Sequence, residues 1–480
     1  MRILWVDDEI ETLKPHKIFL ERQGCSVDTS DHPEEALSLL KNNKYDLVLV
    51  DYRMPSLNGN EFVRMAKKIA PNIRYVLVTM VQDTDIMEEA ISEDVFDYIV
   101  KPVKPTQILA VIKRLEKDEI YRAQKGKELT RLYQKLSEIP RDQEGWLKIA
   151  DLISTKDPQD EFLAGEMEEL NNEFAEWIER NYVELLNSNI TRSDNVFKKH
   201  VIPLIKKGEK VAFFVLDCVK LSQFVSLVKE LPSHVRPELN LYYSILPTST
   251  IYARNSIFAG RLPAEIQKLH PEWLKNNLHE KELLKEQLSR EHLPTNFSFY
   301  RLNAPEDTQN IKPGPFLIAG TINFTDLIAH IRGRVEPLKQ IAKTEQEFKD
   351  MIHFLIKKSG FLQKISELVQ EGYTVFLTSD HGWVQADKPS IVHGGNELTE
   401  SLRFKFGISL RVENPRHAVI FERPREIGLP KGMGRLALCR DYYFFVYPSD
   451  PHRFAKRYRG EIMHGGVTID EMIIPIIKIY

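Results

Sequence analysis

The chain reads as an α/β protein of several domains: a doubly wound, five-stranded parallel sheet, then a helical module, then a second and larger α/β domain. Three observations predict this. Short apolar runs alternate with helical patterns over 1–118. Strand signals vanish over 119–188, where apolar residues recur every three or four positions. The alternation then returns over 189–480. At 480 residues the chain is also too long for one hydrophobic core.

In the first domain the strands are expected at Ile3–Val6, Ser26–Thr29, Leu47–Val50, Tyr75–Thr79 and Tyr98–Val100. Helical spacing separates them, as in Pro33–Lys41 and Glu61–Ala70, and five such units build a parallel sheet covered on both faces. The connector repeats its apolar residues at Leu129, Leu132, Tyr133 and Leu136, and again at Leu170, Phe174, Trp177 and Ile178, with a break at Asp157-Pro158. Buried strands of the last domain are expected at Val211–Leu216, Phe316–Ile322, Tyr373–Thr378 and Ile473–Ile479. Residues 261–312, rich in Glu, Lys, Leu and His, read as a helical insertion over the sheet edge.

Composition narrows the function. A net charge of −3 and the lack of a basic helix-turn-helix argue against a duplex-DNA binder. Cys25, Cys218 and Cys439 have no C-x-x-C spacing, so neither a disulfide framework nor a thiolate zinc site is expected. No apolar run has the length of a membrane span, and Met1–Asp8 already reads as a core strand ending in acids. A cytoplasmic protein without membrane insertion is therefore expected.

Asp7 and Asp8 close the first strand, Asp51 the third, Thr79 the fourth and Lys101 the fifth. All five positions meet at the carboxyl edge of one parallel sheet, where open α/β folds put their ligands. Three crowded carboxylates suit Mg²⁺, with Asp51 as the group that attacks a phosphoryl donor, Lys101 as a counter-charge and Thr79 as a hydroxyl for the new phosphate. One such acid would be read as a solvated strand end; the full ordered set is not. The region resembles the response-regulator receiver family (CheY-like), with D-D, D-x-x-M-P-x-x-x-G, T and K-P all present. That resemblance implies a sensor histidine kinase as phosphodonor. It also implies that Tyr98 follows Thr79 inward and remodels the face of the fourth helix, fifth strand and fifth helix.

The last domain carries a dispersed set of metal-ligand types: Asp217 after a strand, Thr250 in P-T-S-T-I-Y-A-R-N, Asp326 and His330 four apart, Asp380-His381-Gly382, and His464-Gly465-Gly466. Asp, His and hydroxyl ligands without cysteine fit a catalytic pair of zinc or manganese ions. The set divides into Asp326, His330 and His464 for one ion and Asp217, Thr250, Asp380 and His381 for the other. Each motif alone has a plainer reading, D-x-x-x-H as a surface pair and Asp380-His381 as a helix cap. His393-Gly394-Gly395 repeats the H-G-G string but is assigned to a loop, and His200, His234, His270, His279, His292 and His353 are taken as solvated.

The order of these motifs resembles the alkaline-phosphatase superfamily in its PglZ-type branch, over about 200–480. The resemblance implies a nucleophile ten residues before a glycine that closes the following helical stretch. Gly260 stands ten after Thr250, which selects Thr250 over Thr248 and Ser249. Arg254 and Asn255, one turn on, are assigned to phosphate binding. Threonine cannot be oxidised to the aldehyde that sulfatases need, so that branch is rejected. The whole architecture resembles PorX-type regulators of the Bacteroidota type IX secretion system. This implies two Zn²⁺ ions, phosphodiesterase activity on linear or cyclic oligonucleotides, a homodimer on phosphorylation, and contacts with an extracytoplasmic-function sigma factor and secretion-motor components. A phosphomonoesterase, or an interaction switch with a structural metal site, are the alternatives.

Overall fold

Arg2–Val6 (β1), Ser26–Ser30 (β2), Leu47–Asp51 (β3), Arg74–Thr79 (β4) and Asp97–Val100 (β5) form one parallel sheet in the order β2-β1-β3-β4-β5. Each strand lies within one residue of its expected position. Alternate residues of β1 feed opposite cores, Leu4 and Val6 on one face and Ile3 and Trp5 on the other, as a doubly covered sheet requires. The computed structural model describes residues 1–80, 95–156, 161–332, 342, 344–394 and 401–480, and of 117–126, 161–162, 164 and 329–332 the backbone alone. The receiver's fourth helix and the break at Asp157-Pro158 lie outside the described residues. Two compact units emerge, Met1–Tyr133 and Gln134–Tyr480. A single helix, Pro105–Glu138, runs through the expected boundary at 118, because no proline or glycine interrupts it between Thr106 and Lys125. Among the described residues no helix is long and apolar enough to cross a membrane.

The second unit is built on a six-stranded sheet. Lys210–Leu216 (β6), Pro237–Tyr243 (β7), Ser298–Leu302 (β8), Leu317–Ile322 (β9), Tyr373–Ser379 (β10) and the terminal strand Ile473–Ile479 take the order β7, Ile473–Ile479, β10, β6, β9, β8. Only the terminal strand runs antiparallel to its neighbours. Again both faces are buried: Ala212, Phe214 and Leu216 pack with Phe348, Ile352 and Phe361, while Val211, Phe213 and Val215 pack with Phe197, Phe258 and Leu284.

The 261–312 insertion is helical at Pro263–Leu269 and Glu280–Arg290, but it is not wholly helical. Its last part, Ser298–Leu302, pairs in parallel with β9 and forms the sheet's outer edge. The connector helices Gln143–Ser154 and Glu161–Asn187 pack on β7 through an aromatic stack of Trp146, Phe174, Trp177 and Tyr243.

One buried cation ties the sheet edge together. Lys220, three residues after Asp217, is fully buried; its Nζ lies 2.9 Å from Glu345 Oε1, 2.9 Å from Asp470 Oδ2 and 4.0 Å from the Trp383 ring centroid. Burial works to raise the Glu345 carboxyl, but Lys220 and Lys349 outweigh it and hold it at about 2. A carboxyl depressed on folding contributes stability that is complete above its ordinary range, near 4.5, and lost as pH falls toward about 2. Lys220→Met should therefore cost about 3 kcal/mol in urea unfolding at neutral pH. It should also flatten the loss of stability between about pH 5 and 2. An unchanged midpoint would show that the cluster is not stabilising.

Candidate functional sites

The receiver site assembles as its strand order requires. Carboxylate oxygens of Asp7, Asp8 and Asp51 all come within 4.8 Å of one another, with Asp7 and Asp51 buried and Asp8 exposed. Lys101 Nζ bridges Asp7 Oδ2 at 3.1 Å and Asp51 Oδ2 at 3.2 Å. Burial raises the Asp51 carboxyl above its ordinary range; Lys101 opposes this, while Asp7 and Asp8 add to it. A site with three carboxylates and one ammonium has room in its charge balance for a divalent cation. Thr79 is buried at the end of β4, and Tyr98 on β5 is 46% exposed.

In the second unit, the ends of β6 and β10 and the start of the helix Thr250–Ala259 converge. Ligand atoms of Asp217, Asp380 and His381 lie within 4.8 Å of each other, all buried. Thr250 Oγ1 is 3.1 Å from His381 Nε2 and 3.3 Å from Asp217 Oδ1. His381 Nδ1 is 3.0 Å from the Gly382 carbonyl, which fixes the proton on Nδ1 and turns the Nε2 lone pair toward Thr250. His464 stacks on His381 with centroids 4.2 Å apart. Its Nδ1 faces the Thr248 carbonyl at 3.1 Å, so its Nε2 is likewise left as an acceptor. The structure thus brings five of the seven expected ligand residues together. Asp326 stands near enough to act electrostatically on Asp217 and Cys218. His330 follows on the same helix, but its side chain lies outside the described residues.

Local sequence explains the placement. The helix starts at Thr250 after an extended Ser249 and ends at Gly260, whose φ of +59° suits glycine. Gly382 is required for close approach: a Cβ there would stand 1.9 Å from the Asp470 carbonyl. At Gly466 a Cβ would meet Arg403 Nη2 at 2.4 Å. Ser379 Oγ donates to the Leu216 carbonyl at 2.6 Å and accepts from Val219 N at 3.1 Å, joining the β6 and β10 turns.

Arg254 sits inside this cluster. Its guanidinium pairs with Asp217 Oδ2, lies 3.0 Å from Asp380 Oδ2 and 3.9 Å from Glu280 Oε1, and donates to Asn323 Oδ1 at 2.8 Å. Burial raises Asp217 well above the carboxylate range, with Arg254 opposing and Asp380 adding to the rise. Burial would also raise Asp380, but His381 and Arg254 bring it below its ordinary value. Three carboxylates, Asp217, Asp380 and Glu280, thus surround one guanidinium, with Asp326 close enough to act on Asp217, and a cluster of that charge fits a bound cation. Asn255 turns elsewhere: its Nδ2 donates to Ile251 O at 2.9 Å, with Trp273 and Asn276 carbonyls at 3.5 and 3.4 Å.

Other histidines also differ from the sequence expectation. His393 ends a strand, Lys388–His393, rather than lying in a loop, and pairs with Glu413 at 3.7 Å. Gly395 lies outside the described residues. His270 and His279 sandwich Trp273, His353 pairs with Glu230, and His234 meets Ser366. His270, His279 and His353 are thus half-buried and partnered rather than solvated, while His234 and His292 are exposed as expected.

Sequence reasoning missed the group that holds the H-G-G loop. Glu471, fully buried, takes Arg403 Nε at 3.1 Å and Nη2 at 2.5 Å, accepts from Gly466 N at 2.9 Å and from Thr468 Oγ1 at 2.9 Å. Arg403 lies 68 positions away in sequence, and no local pattern announces the pair.

Residues 3–113 match the model of the response regulator receiver domain, and residues 196–479 match that of the BREX system PglZ alkaline phosphatase-like domain. Over 116 residues the chain is 38% identical to the alginate biosynthesis transcriptional regulatory protein AlgB of Pseudomonas putida, covering 24% of this chain and 26% of that one. Over 114 residues it is 33% identical to the cyclic di-GMP phosphodiesterase response regulator RpfG of Xanthomonas campestris, covering 23% and 30%. The chain thus spans only about a quarter to a third of these curated relatives. A solved receiver domain from Methanospirillum hungatei is 30% identical and aligns with 25% of this chain and 97% of its own, at a TM-score of 0.24. The PglZ match takes in more than half of the chain, from the first helix after the connector to the last strand, and the site just described lies wholly within it. The chain belongs to the PglZ family, with a response regulator receiver domain set ahead of its alkaline phosphatase-like domain.

Proposed function

We propose that the chain is a phosphorylation-controlled zinc phosphodiesterase, with a receiver over 1–118, a helical connector over 119–188 and an effector over 189–480. Its substrates are linear or cyclic oligonucleotides, and its setting is the cytoplasm, as a PorX-type regulator of type IX secretion. The observation that carries the proposal is the burial of Asp217, Asp380 and His381 at the ends of two neighbouring strands, beside Thr250 at the start of a helix. Zinc held by Asp217, Thr250, Asp380 and His381, with a second ion on Asp326, His330 and His464, would shield phosphate charge and make the Thr250 hydroxyl easier to ionise. The chain supplies the rest. Thr250 Oγ1 attacks phosphorus, the leaving alcohol departs, and water releases the threonine ester. Arg254, already among the carboxylates, neutralises phosphoryl oxygens as substrate enters. In the receiver, Asp7, Asp8 and Asp51 would hold Mg²⁺, which would shield phosphoryl charge while Asp51 takes the group from a sensor histidine kinase. A homodimer formed on phosphorylation then engages an extracytoplasmic-function sigma factor or secretion-motor components.

Metal analysis tests the proposal. Chain purified without chelator should carry more than one zinc per molecule, and His330→Ala and His381→Ala should each lower that content. Zinc content unchanged by both substitutions would sink the ligand assignment. A second reading, an interaction switch with a mainly structural metal site, is favoured by the Arg254 pairs with Asp217 and Asp380, which hold that guanidinium among carboxylates and away from a phosphate. It predicts bound metal in the same measurement but no diester turnover.

A further inference from the structure

The connector helix Glu161–Asn187 presents a buried stripe that is apolar at Leu170, Phe174, Ile178 and Leu185. Two polar side chains interrupt it. Asn171 and Tyr182 are 2% and 1% exposed. They stand eleven positions apart, so they share one face and are separated by about 16 Å along the helix axis. A buried polar group costs free energy unless it is hydrogen-bonded, so their partners carry information.

Both accept from backbone N–H groups of the loops that hold the effector site. Tyr182 Oη accepts from Leu246 N at 2.8 Å, four residues before Thr250. Asn171 Oδ1 accepts from Ile469 N at 3.0 Å, in the segment that follows the H-G-G loop and leads to Glu471. The two loops are themselves clipped together: Thr248 Oγ1 donates to the Gly466 carbonyl at 2.9 Å and accepts from Gly465 N at 3.1 Å. Beside this clip, Glu179 on the same helix pairs with Arg440, whose backbone bridges to Val467. One helix thus fixes the threonine loop at one point, the segment after the histidine loop at another, and reaches Val467 indirectly through Arg440.

We infer that Tyr182 and Asn171 are positioning residues, through which the connector helix sets the placement of Thr250 against His464. This rests on the proposed hydrolytic reading of that site. Neither residue touches the reacting atoms. Each removes the freedom of a loop whose displacement would separate the nucleophile from its partners, and displacements of about 1 Å at such sites cost up to about a hundredfold in rate.

The experiment uses the full chain with zinc, bis(p-nitrophenyl) phosphate as probe and a zinc titration against a chelating dye. Tyr182→Phe removes one oxygen and leaves Leu246 N unpaired. Asn171→Leu removes the acceptor at similar volume, and Asn171→Asp restores an acceptor oxygen. The expected result is a fall of about tenfold in kcat for Tyr182→Phe and Asn171→Leu with KM nearly unchanged. Both substitutions should also weaken zinc binding about tenfold, and Asn171→Asp should recover most of the losses of Asn171→Leu. Wild-type kcat and zinc affinity in Tyr182→Phe and Asn171→Leu, with Thr250→Ala inactive, would overturn the inference and spare the hydrolytic reading. If Thr250→Ala instead turns over like wild type, the hydrolytic reading fails, and the zinc titration alone decides: weakened by Asn171→Leu and recovered by Asn171→Asp supports positioning, unchanged overturns it. Should Asn171→Leu fail to fold, Tyr182→Phe decides by kcat, or by zinc affinity if the hydrolytic reading has failed.

Discussion

Asp51→Asn should abolish labelling by a small phosphoryl donor in the presence of Mg²⁺, while Asp28→Asn keeps it. Asp51 is the buried acid at the end of β3, next to Lys101 and within reach of Asp7 and Asp8. Its raised carboxyl range reflects burial and like charge, and a cation bound there would relieve both and leave the carboxylate free to attack. Asp28 belongs to a separate group: its Oδ2 accepts from Arg2 at 2.8 Å and from Tyr45 at 2.9 Å. An asparagine there keeps one acceptor and should cost little. Undiminished labelling of Asp51→Asn would refute the assignment. The same preparation with beryllofluoride should shift from monomer to dimer in light scattering, and Asp51→Asn should stay monomeric. The coupling requires different contacts in the two states, so a mass unchanged over a wide concentration range would contradict it.

What the sequence could disclose follows from how far apart the cooperating residues lie. The receiver acids were legible because each closes its own strand, and parallel strands bring their carboxyl ends to one edge. Thr250 was chosen through the family resemblance, which sets a glycine ten residues on, and Gly260 does close the helix that Thr250 begins with a left-handed backbone. Strand Ser298–Leu302 was hidden because its five residues follow a long charged helical stretch, and only the open edge of β9 makes them a strand. Lys220 reads as a surface lysine, since its two carboxylate partners are 125 and 250 positions away. Arg254 shows the same limit: the sequence puts it one turn after Thr250, but only the fold sets its guanidinium between Asp217 and Asp380.

Thr250→Ala should lower diester turnover by about a thousandfold or more, with the fold and much of the metal retained. A threonine hydroxyl is almost wholly protonated at neutral pH and is a poor nucleophile alone. Here its Oγ1 lies against the lone pair of His381 and a carboxylate oxygen of Asp217, and the helix beginning at Thr250 offers free N–H groups for phosphate oxygens. Removing the oxygen removes the atom that attacks. Thr250→Ser keeps it and should stay within about tenfold of wild type, since only a methyl group is lost. Thr248→Ala should fall between the two, because Thr248 clips the H-G-G loop rather than facing the cluster. The most direct measurement is steady-state hydrolysis of bis(p-nitrophenyl) phosphate by the zinc-loaded chain, comparing wild type, Thr250→Ala, Thr250→Ser and Thr248→Ala. The account predicts turnover in wild type, partial turnover in Thr250→Ser and none above background in Thr250→Ala. Wild-type rates in Thr250→Ala, or their loss only in Thr248→Ala, would contradict it.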